Sequence, residues 1–97
     1  MSYPIFWSDE AIRNLETILS YLSTKWTEKE ASSFKARLAE QLSIISKFPT
    51  VFPVSPSVPR LRKAVLTKQT IIFYEFRDQH IYIAYLFESR QNPDKVS

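Results

Sequence analysis

Leu22-Ser23-Thr24-Lys25-Trp26-Thr27-Glu28-Lys29-Glu30-Ala31 is the stretch whose reading decides the fold. Before it, apolar residues recur at Ala11/Ile12, Leu15, Ile18/Leu19, Leu22 and Trp26; after it, at Ala31, Phe34, Leu38, Leu42 (with Ala39), Ile45 and Phe48. Both runs keep the three-to-four spacing of a single helix face. Thr27 through Glu30 interrupts them with a capping box, in which each side chain satisfies the other residue's backbone N–H. The pattern is therefore two helices of about five turns each, not one long one. To hide both stripes they must fold back as an antiparallel hairpin. Ser8 caps the first helix, with Asp9 and Glu10 in the turn where the helix dipole favours negative charge. Pro49 stops the second. The hairpin spans 8–48.

Working outward, residues 49–59 (Pro-Thr-Val-Phe-Pro-Val-Ser-Pro-Ser-Val-Pro) hold four of the six prolines. No helix or central strand survives that spacing, so this is a stiff, extended connector. Val51, Phe52 and Val54 suggest that it lies against the core. The period then switches to two. Arg60–Thr67 alternates Leu61, Lys63, Val65 against Arg62, Ala64, Leu66, while Thr70–Arg77 and His80–Phe87 are β-branched and aromatic. Hairpin-length breaks at Lys68-Gln69 and Asp78-Gln79 join the three runs into an antiparallel meander over 60–88. Tyr3–Trp7 reads as a short further strand beside them. The predicted architecture is α+β: one domain over 1–97, with a helical hairpin on one face of a small antiparallel sheet.

Composition excludes several function classes. There is no cysteine, so disulfides, thiolate metal sites and cysteine nucleophiles are out, and a reducing, cytoplasmic setting is expected. There is no glycine, which removes phosphate-cradling loops and dinucleotide fingerprints. No apolar run approaches the ~18–20 residues that span a bilayer. The opening Met-Ser-Tyr-Pro-Ile-Phe-Trp-Ser-Asp-Glu lacks the basic start of a signal peptide. No membrane partner and no cofactor are expected.

The net charge of +3 is unevenly placed. Residues 1–59 balance, and the whole excess falls in 60–97, where Arg60, Arg62, Lys63, Lys68 and Arg77 face Glu75 alone between 60 and 77. Such a segment suits a nucleic-acid backbone or an acidic protein partner, and equally an ordinary solubilising face. The single histidine, His80, falls at a hairpin turn with no second ligand for a metal and no nucleophile to serve. Glu75 and Glu88, by simple alternation, are expected to face solvent. What remains is a set of cations (Arg60, Arg62, Lys63, Arg77, Arg90) among Tyr74, Tyr82 and Tyr85. Guanidinium groups grip phosphate bidentately and aromatic rings stack on bases. The set suits RNA binding or cleavage by charge stabilisation, or else an acidic partner's surface.

Ser8-Asp9-Glu10-Ala11, the run through Leu15, Ile18 and Tyr21-Leu22, and Phe34, Leu38 and Ile45 ahead of Phe48-Pro49 resemble the helical hairpin of the RelE/ParE toxin superfamily. Leu61-Arg62-Lys63-Ala64-Val65-Leu66, Ile72-Phe73-Tyr74, Ile81–Phe87 and Arg90-Gln91-Asn92-Pro93 resemble its closing strands and ending. The resemblance implies the toxin half of a type II toxin–antitoxin pair, in the setting of growth inhibition and plasmid stabilisation. It further implies a cognate antitoxin as partner, and operator DNA only through that antitoxin. RelE-like members cut ribosome-bound mRNA with basic residues and a C-terminal tyrosine or histidine. ParE-like members instead poison DNA gyrase and lack that set. Arg62 and Arg90 fit arginine positions that both branches share. Beyond Arg90 there is neither tyrosine nor histidine, which favours the ParE-like branch. No catalytic residue is assigned on this reading; for a nuclease the set would be Arg62, Arg77, Arg90 and Tyr85. The target or nucleic-acid contacts would be Arg60, Arg62, Lys63, Lys68, Arg77 and Arg90. A non-toxic, antitoxin-binding module of the same fold is the remaining alternative.

Overall fold

Ser8 and Thr27 both adopt the extended backbone of an N-cap residue, and their hydroxyls accept from the backbone N–H of Ala11 (2.9 Å) and Glu30 (3.1 Å). These caps open α1 (Asp9–Lys25) and α2 (Glu28–Lys47) in the computed structural model, which describes residues 2–90. Ala11, Ile18 and Leu22 of α1 and Ala31, Phe34, Leu38 and Ile45 of α2 are buried in one core with the sheet. Trp26 and Phe48, read as members of the stripes, are instead exposed, Phe48 by 61%. Each is the C-cap residue of its helix, where the backbone turns away and the helical direction of the stripe is lost.

Four strands follow the order β1-β4-β3-β2: β1 (Ile5–Trp7), β2 (Arg62–Val65), β3 (Thr70–Arg77) and β4 (His80–Glu88). The meander is antiparallel as expected, but β1 joins β4 in parallel, Ile5 opposite Ile81, so the sheet is mixed. The chain leaves β1 into the helical hairpin and re-enters the sheet at the far edge, a crossover that permits a parallel pair. β2 is shorter than the alternation suggests. Its start is held in a turn, Leu61 N donating to Val58 O, and its end in another, Leu66 N donating to Thr70 O.

The connector lines the outer edge of β2. Ser55 N donates to Leu61 O at 2.7 Å and Lys63 N to Pro53 O at 2.9 Å. Of its apolar residues only Phe52 packs on the main core, whereas Val51 and Val54 are exposed. Extended chain turns alternate residues outward, so an edge segment buries only part of its apolar set.

One irregularity resets the sheet. Phe73 pairs with Tyr85 but Tyr74 with Ile83, leaving Ala84 as the extra residue of a β-bulge. Its strand neighbourhood is held from α1: Ser8 Oγ donates to Ala84 O at 2.6 Å, and Asn14 Oδ1 accepts from Leu86 N at 3.0 Å. Beyond the bulge every side chain changes face. Tyr85 and Phe87 turn to the face away from the helices, while Leu86 and Glu88 turn towards them. Asp78 and Gln79 close the β3–β4 hairpin with φ of 53° and 65°, a two-residue turn of the left-handed kind made without glycine.

Candidate functional site

The bulge decides where the chemistry-bearing residues go. Glu88, expected at the surface, is 2% exposed on the helix side of the sheet. Its carboxylate accepts from Thr70 Oγ1 (2.8 Å), Arg90 Nε (2.9 Å), Arg90 Nη2 (2.8 Å) and the Arg90 backbone N–H (3.1 Å). Burial on its own would raise the carboxyl's pKa, but the hydrogen bonds from Arg90 and Thr70 together outweigh it and hold the group below its ordinary value. The same pairing raises Arg90, with Glu30 adding to the negative field around it. Arg90 also lies over the Tyr21 ring, 5.4 Å from its centroid. Arg90 is thus a bidentate partner of a buried carboxylate.

Arg62 has a comparable fate at the other side of the sheet. Opposite Tyr74 and on the helix side, its Nη1 donates to Phe52 O (2.7 Å) and Thr50 O (3.3 Å) and so pins the connector. Tyr74 beneath it is fully buried and donates to Pro49 O at 2.7 Å. Burial pushes its phenol up to about 12, with the Arg62 charge opposing part of that rise, so it stays protonated at neutral pH.

The open face carries the rest. Arg60 and Arg77 both reach Glu75, at 3.5 and 3.3 Å, and Arg77 lies over the Tyr82 ring at 4.8 Å. Lys63 sits 6.0 Å from the centroid of Phe73, which stacks on Tyr85 at 4.6 Å. Phe6 stacks on Tyr82, and His80 lies beside both with Nδ1 against Asp78 O.

The candidate nuclease set is therefore not brought together. Arg77 and Tyr85 are on the open face, while Arg62 and Arg90 are on the helix side. Arg77 ends β3 at the turn and Arg90 lies past the end of β4, at opposite ends of a hairpin whose strands at ~3.3 Å per residue span about 23 Å from Thr70 to Arg77. Of the predicted contact residues, Arg60, Lys63 and Arg77 share a face, Arg62 belongs to the connector, and Lys68 and Arg90 border a different feature. That feature is a cleft of about 460 Å³ between α2 and the β2–β3 turn, where Arg37, Lys68 and Arg90 converge over Leu22 and Phe34. Arg37 is one of the balancing charges of residues 1–59 and is not among the candidate residues of the sequence. The signal was present in Glu30, Ser33, Phe34 and Arg37, which at i, i+3, i+4 and i+7 form one stripe of α2. Among the described residues, no group of three or more His, Asp or Glu side chains could hold a metal ion, and no helix is long and apolar enough to cross a membrane. The Gln91-Asn92-Pro93 ending lies outside the described residues.

A family model described as the ParE toxin of the type II toxin–antitoxin system parDE matches residues 5–93. A search of curated protein sequences finds no match. Among solved structures, a chain of the chromosomal ParDE toxin–antitoxin system of P. aeruginosa superposes with a TM-score of 0.75 at 16% identity, covering 90% of this chain and 96% of that one. A mutant of E. coli toxin RelE in the free state gives 0.65 at 12% identity, covering 96% and 90%. A chain of the E. coli DinJ–YafQ toxin–antitoxin complex gives 0.63 at 12% identity, covering 94% and 97%. At these identities the structural likeness speaks for the fold, two helices on a four-stranded mixed sheet.

Proposed function

The chain belongs to the ParE toxin family of type II toxin–antitoxin systems, and from that premise we propose that it is a growth inhibitor acting on DNA gyrase, neutralised by a cognate antitoxin. One observation carries the choice of gyrase over message cleavage. The three guanidinium groups suited to holding transition-state charge each have a structural partner: Arg62 the connector carbonyls, Arg77 Glu75, and Arg90 Glu88. Cleavage by charge stabilisation needs preorganised donors aimed at one developing charge, and these point at three places. Proton transfer fares no better. Tyr74 is buried with a raised pKa, Glu88 is held ionised, and His80 is at a surface turn with Nδ1 turned to Asp78 O.

Two arms test this. Expression in bacteria is expected to cause filamentation and an SOS response, relieved by co-expressing the antitoxin from the neighbouring reading frame. Purified protein is expected to leave ribosome-bound mRNA intact over a long incubation. Rapid translational arrest with codon-phased cuts would replace this reading with a RelE-like mRNA interferase. A product harmless in several hosts would leave an antitoxin-binding module without a poison.

A further inference from the structure

Eight large apolar side chains are exposed among the described residues, and four of them, Ile44, Phe48, Val51 and Val54, gather at one edge of the molecule. Gln41, Ile44 and Phe48, at i, i+3 and i+7, form one flank of α2. Gln41 donates from its side chain to Val65 O, so this flank overlooks the β2 edge of the sheet. Val51 follows directly, its N–H donating to Phe48 O at 3.1 Å. Val54 stands opposite Arg62 and therefore shares its helix-side face, and the Arg62 guanidinium holds the Thr50 and Phe52 carbonyls beside it. The four side chains thus belong to one hydrogen-bonded edge.

The backbone at this edge is self-complementary. Ser55 N donates to Leu61 O and Lys63 N to Pro53 O, so Pro53 and Ser55 turn their polar groups towards β2. Val54 between them turns its N–H and C=O the other way, out from the sheet, where neither has a partner among the described residues. In an antiparallel hydrogen-bonded pair, two directly opposed residues exchange both bonds. Val54 opposite the Val54 of a second copy meets that pattern on a two-fold axis. A longer added strand would find nothing further to bind. Two residues along, Pro56 has no N–H to give, and on the other side the Phe52 carbonyl already accepts from Arg62. At exposures of 39–62% the four side chains present on the order of 400 Å² of apolar surface, the size at which a patch on a monomer is often a contact. If apolar area is about 65% of the interface, as in homodimers, each copy buries roughly 600 Å², about 1,200 Å² in total. That is the lower limit of a specific interface and suits a dimer of micromolar affinity.

We propose that this edge is a two-fold contact between two copies of the chain, Val54 pairing with Val54 and the Ile44, Phe48 and Val51 flanks facing each other across the axis. The two sheets then run on into one. Sedimentation of the purified full chain, freed of antitoxin, tests it with Phe48→Lys and Trp26→Lys as variants. Both positions are exposed C-caps, where a lysine suits the helix dipole, so both melting curves are expected to follow wild type. Wild type and Trp26→Lys are expected to pass from monomer to dimer over micromolar concentrations. Phe48→Lys sets two like charges across the axis and is expected to raise the dissociation constant at least about tenfold. The pairing itself is read by cross-linking. The chain has no cysteine, so Val54→Cys introduces a single thiol. Opposed residues of a hydrogen-bonded antiparallel pair have Cα atoms ~5.5 Å apart, a separation that a disulfide bridges. Oxidised glutathione is therefore expected to convert Val54→Cys to a covalent dimer, and adding Phe48→Lys to suppress it. A wild type that stays monomeric to about 1 mM, or equal weakening by Trp26→Lys, would overturn the proposal. A dimer in which Val54→Cys does not cross-link would refute the two-fold pairing. A monomeric wild type whose antitoxin binding is lost in Phe48→Lys would give this surface to the antitoxin instead.

Discussion

Replacing Arg90 with alanine tests whether that arginine serves the fold or a reaction. In the folded chain the guanidinium supplies two of the four hydrogen bonds on the Glu88 carboxylate, at 2.8 and 2.9 Å, and Glu88 itself is 2% exposed. Two charge-assisted bonds at ~1.5–3 kcal/mol each would set an upper range of about 3–6 kcal/mol. The Arg90 side chain is 25% exposed, so water reaches the vacated position and offsets part of the loss. The expected cost at pH 7 is about 2–4 kcal/mol, near the lower end of what removing one partner of a buried pair costs. Urea unfolding of wild type and Arg90→Ala measures it, and the pH dependence identifies the cause. In wild type the Glu88 carboxyl is held below its ordinary 4.5. Its contribution is therefore complete above that value and is lost as pH falls through the lower, folded one. Without the guanidinium, burial dominates and the carboxyl rises, so protonation favours the folded variant. The gap between the two proteins is thus expected to narrow from pH 7 to pH 3. A loss under about 1 kcal/mol, or a gap that is constant with pH, would refute the structural role of Arg90.

Three further outcomes follow from the packing. Leu38→Ala, in the core between hairpin and sheet, is expected to cost roughly 2–5 kcal/mol and to lower the melting temperature by at least about 8 °C; a loss below about 1 kcal/mol would place the stripe on the wrong face. Gln79→Gly is expected to raise stability by about 1 kcal/mol in urea unfolding, because φ of 65° costs a side chain with a Cβ roughly 1–2 kcal/mol and glycine's extra unfolded entropy cancels part of that gain; unchanged or reduced stability would contradict it. Arg62→Ala is expected to speed amide hydrogen exchange at Ser55 and Lys63 on the order of tenfold by loosening the connector, and unaltered exchange would remove Arg62 from that role.

What was legible in the sequence is what local periodicity and capping determine. Ser8, the Thr27–Glu30 box and Pro49 bound two helices whose stripes fix their buried faces, and the three β runs lie where alternation puts them, with β2 trimmed to Arg62–Val65. What was not legible depends on contacts distant in the chain. Nothing at Ala84 marks a bulge, since the groups that hold it, Ser8 and Asn14, belong to the cap and first half of α1, distant in the chain. From that one residue came the misplacement of Glu88, turned inward, and with it the outward face of Tyr85. The parallel pairing of β1 likewise needs the hairpin crossover to be in place. For the arginines, sequence supplied the charge but not the partner: whether Arg62, Arg77 and Arg90 are available depends on the Phe52 carbonyl, Glu75 and Glu88, which only the folded sheet brings near.

The central claim is that this toxin acts by engaging gyrase and not by cutting message. The most direct measurement adds purified toxin, freed of antitoxin, to DNA gyrase and relaxed plasmid and follows the appearance of supercoils. Supercoiling is expected to fall with toxin dose, to recover on addition of the antitoxin, and to fall equally with Arg77→Ala, whose guanidinium the structure gives to Glu75. Undiminished supercoiling in molar excess of toxin, with ribosome-bound mRNA cut by the same preparation, would contradict the account.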